Sequence, residues 1–149
     1  MVIVIVITVI FTASIVVWLA RFSVGVPSVG TIYVAGAEAY GGDIKPINGV
    51  PSIDWGTIQC GDSKNVTFYL RSISNVQIRL AFAATDWNPE GLKNYVTLSW
   101  NYSGTQLAPK QEIPICFTLS TPDTRDFANY IVTNNVKLYN FTIYIYAQK

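Results

Sequence analysis

Histidine is absent from the chain. Without it there is no imidazole to act as a base near neutral pH or to ligate a metal ion. Cysteine occurs only twice, at Cys60 and Cys116, which is too few thiols for a zinc site that has no histidine to complete it. Charge is scarce: Asp, Glu, Lys and Arg make up 13% of the 149 residues and sum to +1. Ten cations scattered from Arg21 to Lys149 form no basic stripe, so a nucleic-acid partner is not expected. No paired carboxylates, Ser-Lys dyad or glycine-rich phosphate loop stands out. The expectation is a non-enzyme with no cofactor, no catalytic residues and no metal.

The longest absence is of charge before Arg21. Val2 to Ala20 is uncharged, and thirteen of its residues are Ile, Val, Leu or Phe. A helix of this length spans about 30 Å, the thickness of a bilayer's hydrocarbon core. Trp18 and Arg21 stand at its far end, where an aromatic belt and a snorkelling cation belong. The segment therefore reads as one transmembrane helix, a signal-anchor over residues 1–21. A cleaved signal peptide is the rival reading, although its apolar core is usually shorter, about 7–15 residues. Arg21 alone favours a cytoplasmic C-terminal side; the sequons and the β-fold below favour the outside and outweigh it.

Beyond an expected juxtamembrane linker at 22–30, the chain reads as all-β. Thr31–Tyr40 is a strand that loosens into a Gly- and Pro-rich loop, Gly41–Pro51. Six more strand signals follow: Ser52–Ile58, Asn65–Arg71, Val76–Ala84, Tyr95–Tyr102, Ile113–Leu119 and Lys137–Ala147. Their alternation gives one apolar and one wet face each, as in antiparallel sheets exposed on one side. Thr121-Pro122-Asp123 carries an N-cap, a first-turn proline and an acid, which predicts a short helical turn near Asp123–Tyr130. About seven strands with no long amphipathic helix is the arithmetic of an Ig-like antiparallel β-sandwich over residues 31–149. The expected core is Trp55, Phe68, Leu70, Leu80, Phe82, Trp100, Phe117, Phe141 and Ile143.

Ile53-Asp54-Trp55-Gly56-Thr57-Ile58, Gly61-Asp62-Ser63 and the strand Val66–Leu70 resemble the opening of Hydin-type and major-sperm-protein-like Ig folds. Leu107-Ala108-Pro109-Lys110 before Ile113–Leu119 resembles their later turn and strand. Together with Asp86-Trp87-Asn88-Pro89, Leu98-Ser99-Trp100-Asn101 and Phe141-Thr142-Ile143-Tyr144-Ile145, the pattern over about 50–149 is similar to small single-span archaeal surface proteins with one Ig-like domain. Cys60 stands where those patterns often have proline. The resemblance implies a fold and a place at the cell surface; a sandwich of this type hosts many roles.

Several residues are candidates for particular chemistry. Asn65-Val66-Thr67, Asn101-Tyr102-Ser103 and Asn140-Phe141-Thr142 match the N-glycosylation pattern. Cys60 and Cys116 are either a disulfide or two separate thiols; Cys116 shares parity with Thr118, outside the core face. Asp86-Trp87-Asn88-Pro89-Glu90 has oxygen ligands at alternate positions but lacks a calcium loop's glycine and distal acid, and reads as a turn around a buried tryptophan. Tyr69, Tyr102, Tyr130, Tyr144 and Tyr146 are surface tyrosines, of which Tyr144 and Tyr146 form the best candidate contact surface.

Two roles fit. One is a membrane-anchored extracytoplasmic module with a binding or structural task, whose partner is the membrane itself, a neighbouring membrane or surface-layer protein, or another copy. The other is a filament subunit assembled by β-strand donation. Pairing of strand 31–40 within its own domain favours the first; an empty groove favours the second.

Overall fold

The computed structural model describes residues 25–148. Among these residues nine strands form two sheets stacked as a sandwich. They are β1 (Val26–Ala35), β2 (Ala37–Tyr40), β3 (Ile44–Ile47), β4 (Val50–Ile58), β5 (Ser63–Ser72), β6 (Arg79–Asn88), β7 (Thr97–Trp100), β8 (Glu112–Ser120) and β9 (Tyr139–Gln148). The five-stranded sheet has the order β3-β4-β1-β9-β6, and the four-stranded sheet β2-β5-β8-β7. A short α-helix, α1 (Arg125–Thr133), carries the chain from β8 back to β9. Among the described residues no helix is long and apolar enough to cross a membrane. The expected span at 1–21 lies outside them.

Alternation explains most of this. Val66, Phe68 and Leu70 of β5 and Ile115, Phe117 and Leu119 of β8 are buried, while Thr67, Tyr69 and Arg71 face water. The nine-residue ladder Ser63–Arg71 against Glu112–Ser120 keeps these faces in phase. Trp55, Phe68, Leu70, Leu80, Phe117, Phe141 and Ile143 are in the core as expected. Phe82 and Trp100 are not fully buried. They lie on β6 and β7, the edge strands of the two sheets, and meet edge-on at 4.8 Å. There they close the side of the sandwich, so each keeps an edge in solvent.

The architecture departs from the expected seven antiparallel strands in four places. First, β1 begins at Val26, inside the expected linker, because Val26, Ser28 and Gly30 continue the buried parity of Ile32. Second, the expected strand 31–40 is broken at Gly36 (φ +83°), where the chain leaves one sheet and enters the other as β2. A Cβ at Gly36 would stand 2.6 Å from the Ala147 Cβ, so only glycine fits this crossing. Third, β1 runs parallel to β9, Ser28–Ala35 beside Tyr139–Tyr146, which makes the five-stranded sheet mixed. Fourth, the expected loop 41–51 holds the β3–β4 hairpin, turned by Asn48 (φ +52°) and Gly49 (φ +80°). Two positive φ angles in a two-residue loop are the geometry that an Asn-Gly pair supplies.

The prolines inside strands obey one rule. Pro27 precedes the β9 ladder, Pro46 is in edge strand β3, Pro51 lies beyond the β1 ladder, and Pro114 lies beyond the β7 ladder. Each stands where its strand has a neighbour on one side only, so the missing N–H breaks no second ladder. The helix is also shifted from its expected position. Thr124 caps α1 by accepting from Phe127 N at 3.4 Å. The hydroxyl of Thr121 is drawn instead into the β4–β5 turn, donating to Gln59 O and accepting from Asp62 N. Phe127, Ala128 and Ile131 turn inward and close one end of the sandwich.

Candidate functional site: the tyrosine face

β9 is the second strand from the edge, and its outward residues are Asn140, Thr142, Tyr144 and Tyr146. The register with its two neighbours sets three rows across the outer face. They are Thr31–Thr142–Thr85, Tyr33–Tyr144–Ala83 and Ala35–Tyr146–Ala81. Tyr33 and Tyr144 stack at 5.4 Å with 19° between their planes. All three tyrosines are exposed, at 47% for Tyr33, 43% for Tyr144 and 39% for Tyr146. None of these nine residues is charged, and alanines leave the far side of Tyr144 and both sides of Tyr146 uncrowded. The surface is therefore broad, neutral and aromatic, suited to contact by shape and apolar area rather than by electrostatic steering. Sequence reasoning found Tyr144 and Tyr146 but missed Tyr33. Its parity against Ile32 was available; its position beside β9 was not.

The other tyrosines have local tasks. Tyr102 OH accepts from Leu80 N at 3.2 Å and donates to Thr105 O, tying the loop after β7 to the exposed edge of β6. The Ile78–Leu107 bridge continues that cover, which protects the edge from pairing with another chain. Tyr130 packs on Tyr95 at 5.2 Å. Tyr69 stacks with Tyr40 on the four-stranded sheet, where Arg71 lies over the Tyr40 ring and bonds Glu38 at 2.6 Å.

The segment expected as a turn, Asp86–Glu90, is the bulged end of β6 leading into a 3-10 helix, Glu90–Asn94. Asp86 has φ +52°. Trp87 is half-buried, stacks on Phe141 at 4.3 Å and donates from Nε1 to Ala84 O. A cleft of about 520 Å³ opens there, lined by Ala84, Thr85, Asp86, Trp87, Glu90 and Lys93. Its carboxylates are engaged, Asp86 by Thr85 Oγ1 at 3.0 Å and Glu90 by Lys93 at 2.6 Å. The Lys93 bond holds the Glu90 carboxyl below its usual pKa. Among the described residues no three His, Cys, Asp or Glu side chains gather as a metal cluster.

All three sequon asparagines are exposed. Asn65 Oδ1 accepts from Thr118 Oγ1 and Asn101 Oδ1 accepts from Cys116 N, each at 2.8 Å. The amide nitrogen, where a glycan would be joined, takes no part in either bond. Asn65 and Asn101 thus flank β8 on the four-stranded sheet, while Asn140 lies in line with the tyrosines.

Cys60 and Cys116 are separate thiols, and no bridge joins them. The reason is placement. Cys116 is paired with Thr67 in the middle of the four-stranded sheet, whereas Cys60 sits just after β4 of the other sheet. Burial and the nearby Asp123 carboxylate push the Cys60 thiol pKa up, which makes it a poor nucleophile.

One cluster was invisible in the sequence. Ser28 Oγ, Trp55 Nε1 and Tyr139 OH are buried without a hydrogen-bond partner. Ser28 is the register partner of Tyr139, and a Cβ on Gly30 would stand 3.1 Å from Trp55 Nε1. All three therefore line the buried side of β1. Burial pushes the Tyr139 phenol up to about 12, against a smaller opposite pull from the Ser28 hydroxyl. The chain matches no protein-family model, and no curated protein matches it.

Proposed function

We propose that this chain is a non-enzymatic domain tethered to the cell membrane and held outside the cytoplasm, with a binding or structural role at the surface. Its sandwich is of the Ig-like kind that the sequence resembles. The observation that carries this reading is the uncharged row of Tyr33, Tyr144 and Tyr146 on the outer face of the five-stranded sheet. Strand 31–40 pairs within its own domain, β1 with β4 and β9 and β2 with β5, which favours the anchored module over a subunit with an empty groove. Only Phe22 to Gly25 separate the proposed anchor at 1–21 from β1. That tether reaches at most ~14 Å when extended, so a partner must be in the same membrane or in a layer just above it.

The test is protease protection of intact cells with intact-mass measurement and a carbonate wash. A full-mass chain that stays with the membrane and is digested from outside supports the reading. Release by carbonate at full mass, or protection from outside protease, overturns it. In the same cells, crosslinking through the tyrosine face should recover a near neighbour. Replacing Tyr144 and Tyr146 by Ser should abolish that product without changing the amount of folded protein.

A further inference from the structure

We infer that β1 is an exchangeable strand: Val26–Ala35 of one copy fills the slot between β4 and β9 of a second copy, with Gly36 as the hinge. The inference takes only its setting, copies side by side on one membrane, from the tethered reading above.

The topology makes exchange possible. β1 is first in the chain yet central in its sheet, bonded to β4 on one side and β9 on the other. β4 and β9 do not pair with each other, so removing β1 leaves a slot with two open ladders and a floor that includes Trp55, Phe141 and Ile143. Among the described residues both long edges of β1 are made by strands of the same sheet. Withdrawal breaks the ladders to β4 and β9 and turns the chain at Gly36, while β2 stays paired to β5.

Two features favour opening. A single residue carries the chain from one sheet to the other, and short hinges of this kind invite exchange because a second copy accepts the strand without the tight crossing. Next, of the four buried side-chain polar atoms without a well-formed hydrogen bond among the described residues, Trp55 Nε1 and Tyr139 OH face the β1 slot and Ser28 Oγ is on β1 itself. Each such atom weakens the hold on the strand and regains water when the slot opens. A filled slot is common to both forms, since exchange reproduces every β1 contact, including the Tyr33–Tyr144 stack, across two chains. Reciprocal exchange gives a closed pair, in which neither copy is left with an empty groove.

The register supplies the test. Thr31 and Thr142 are side-by-side partners on the outer face. In full-length chains carrying Cys60→Ser and Cys116→Ser, one population receives Thr31→Cys and a second Thr142→Cys. The two are mixed in detergent, incubated at high concentration and oxidised. Exchange predicts a two-chain product whose linked peptides join positions 31 and 142, a bond that neither population forms alone. A short glycine insertion after Gly36 relaxes the crossing and should lower that product several-fold. If the mixture gives no 31–142 peptide while the double variant Thr31→Cys/Thr142→Cys closes within single chains, β1 is fixed and the inference fails. Carbonate extraction of the same chains separates the outcomes. Loss of the crosslink with membrane retention refutes exchange alone, and extraction with the crosslink intact refutes the tether alone.

Discussion

Replacing Tyr139 by Phe removes one oxygen from the base of β9 and tests the most unusual group in the core. The phenol is 1% exposed, and its hydroxyl makes no hydrogen bond of good geometry, only a weak interaction with the Ser28 hydroxyl. A buried polar atom left unsatisfied costs roughly 1–3 kcal/mol, and the weak Ser28 interaction and the lost packing of the oxygen offset part of that, so Tyr139→Phe should stabilise the protein by no more than about 1 kcal/mol at pH 7. The alkaline range gives the sharper readout. The folded-state pKa is raised to about 12 against about 10 in the unfolded chain. The unfolded chain therefore loses this proton first, and stability present below pH 10 drains away as pH rises toward 12. By linkage the loss is about 1.4 kcal/mol at pH 11. The variant has no such proton, so its advantage over the wild type should grow by that amount between pH 8 and pH 11. Because the two proteins differ only in this hydroxyl, the difference isolates Tyr139. Urea titrations of the full chain in mild detergent, followed by tryptophan fluorescence, would measure it. A difference that stays flat from pH 8 to pH 11 would refute the argument that burial raises this phenol.

Phe141→Ala opens a stack in which the ring lies between Trp55 at 6.4 Å and Trp87 at 4.3 Å; a loss of about 3–5 kcal/mol is expected in denaturant titrations, and under ~1 kcal/mol would mean the stack carries little. Gly36→Ala meets both a φ of +83° and the Ala147 Cβ at 2.6 Å. It should lose about 1–3 kcal/mol from the backbone alone, with Ala147→Gly recovering only the contact part in a double-variant cycle. Glu38→Gln breaks an ion pair whose side chains are 51% and 47% exposed; thermal melts should show less than about 1 kcal/mol.

How much of this was legible depends on what each strand needed from its neighbours. β5, β8 and β9 have one wet and one dry face, and their alternation identifies them without any knowledge of pairing. β1 is different. Gly25 just before it and Pro27 and Gly30 within it give it the composition of a linker, and its place comes from β4 and β9, which are distant in sequence. The Asn48-Gly49 turn was present to be read, but Pro46 and Pro51 on either side looked like breakers. They are tolerated because Pro46 is in edge strand β3 and Pro51 lies beyond the β1 ladder. For the candidate site the same limit holds. Parity put Tyr144 and Tyr146 on an outer face, whereas Tyr33 joined them only through a parallel register that a single sequence does not encode locally. Likewise, the unpartnered Ser28, Trp55 and Tyr139 are ordinary residues until three strands bring them together.

The parallel run of β1 beside β9 also decides how the domain meets mechanical load. The chain enters β1 at one pole of the sandwich and leaves β9 at the other, with eight residue pairs in register between them. A pull between these two points slides the strands lengthwise, so the whole ladder bears force together instead of opening one bond at a time. A domain fastened at its base and tugged at its far end would resist through this shear, and the force needed to break it would far exceed that for peeling apart the β3–β4 hairpin.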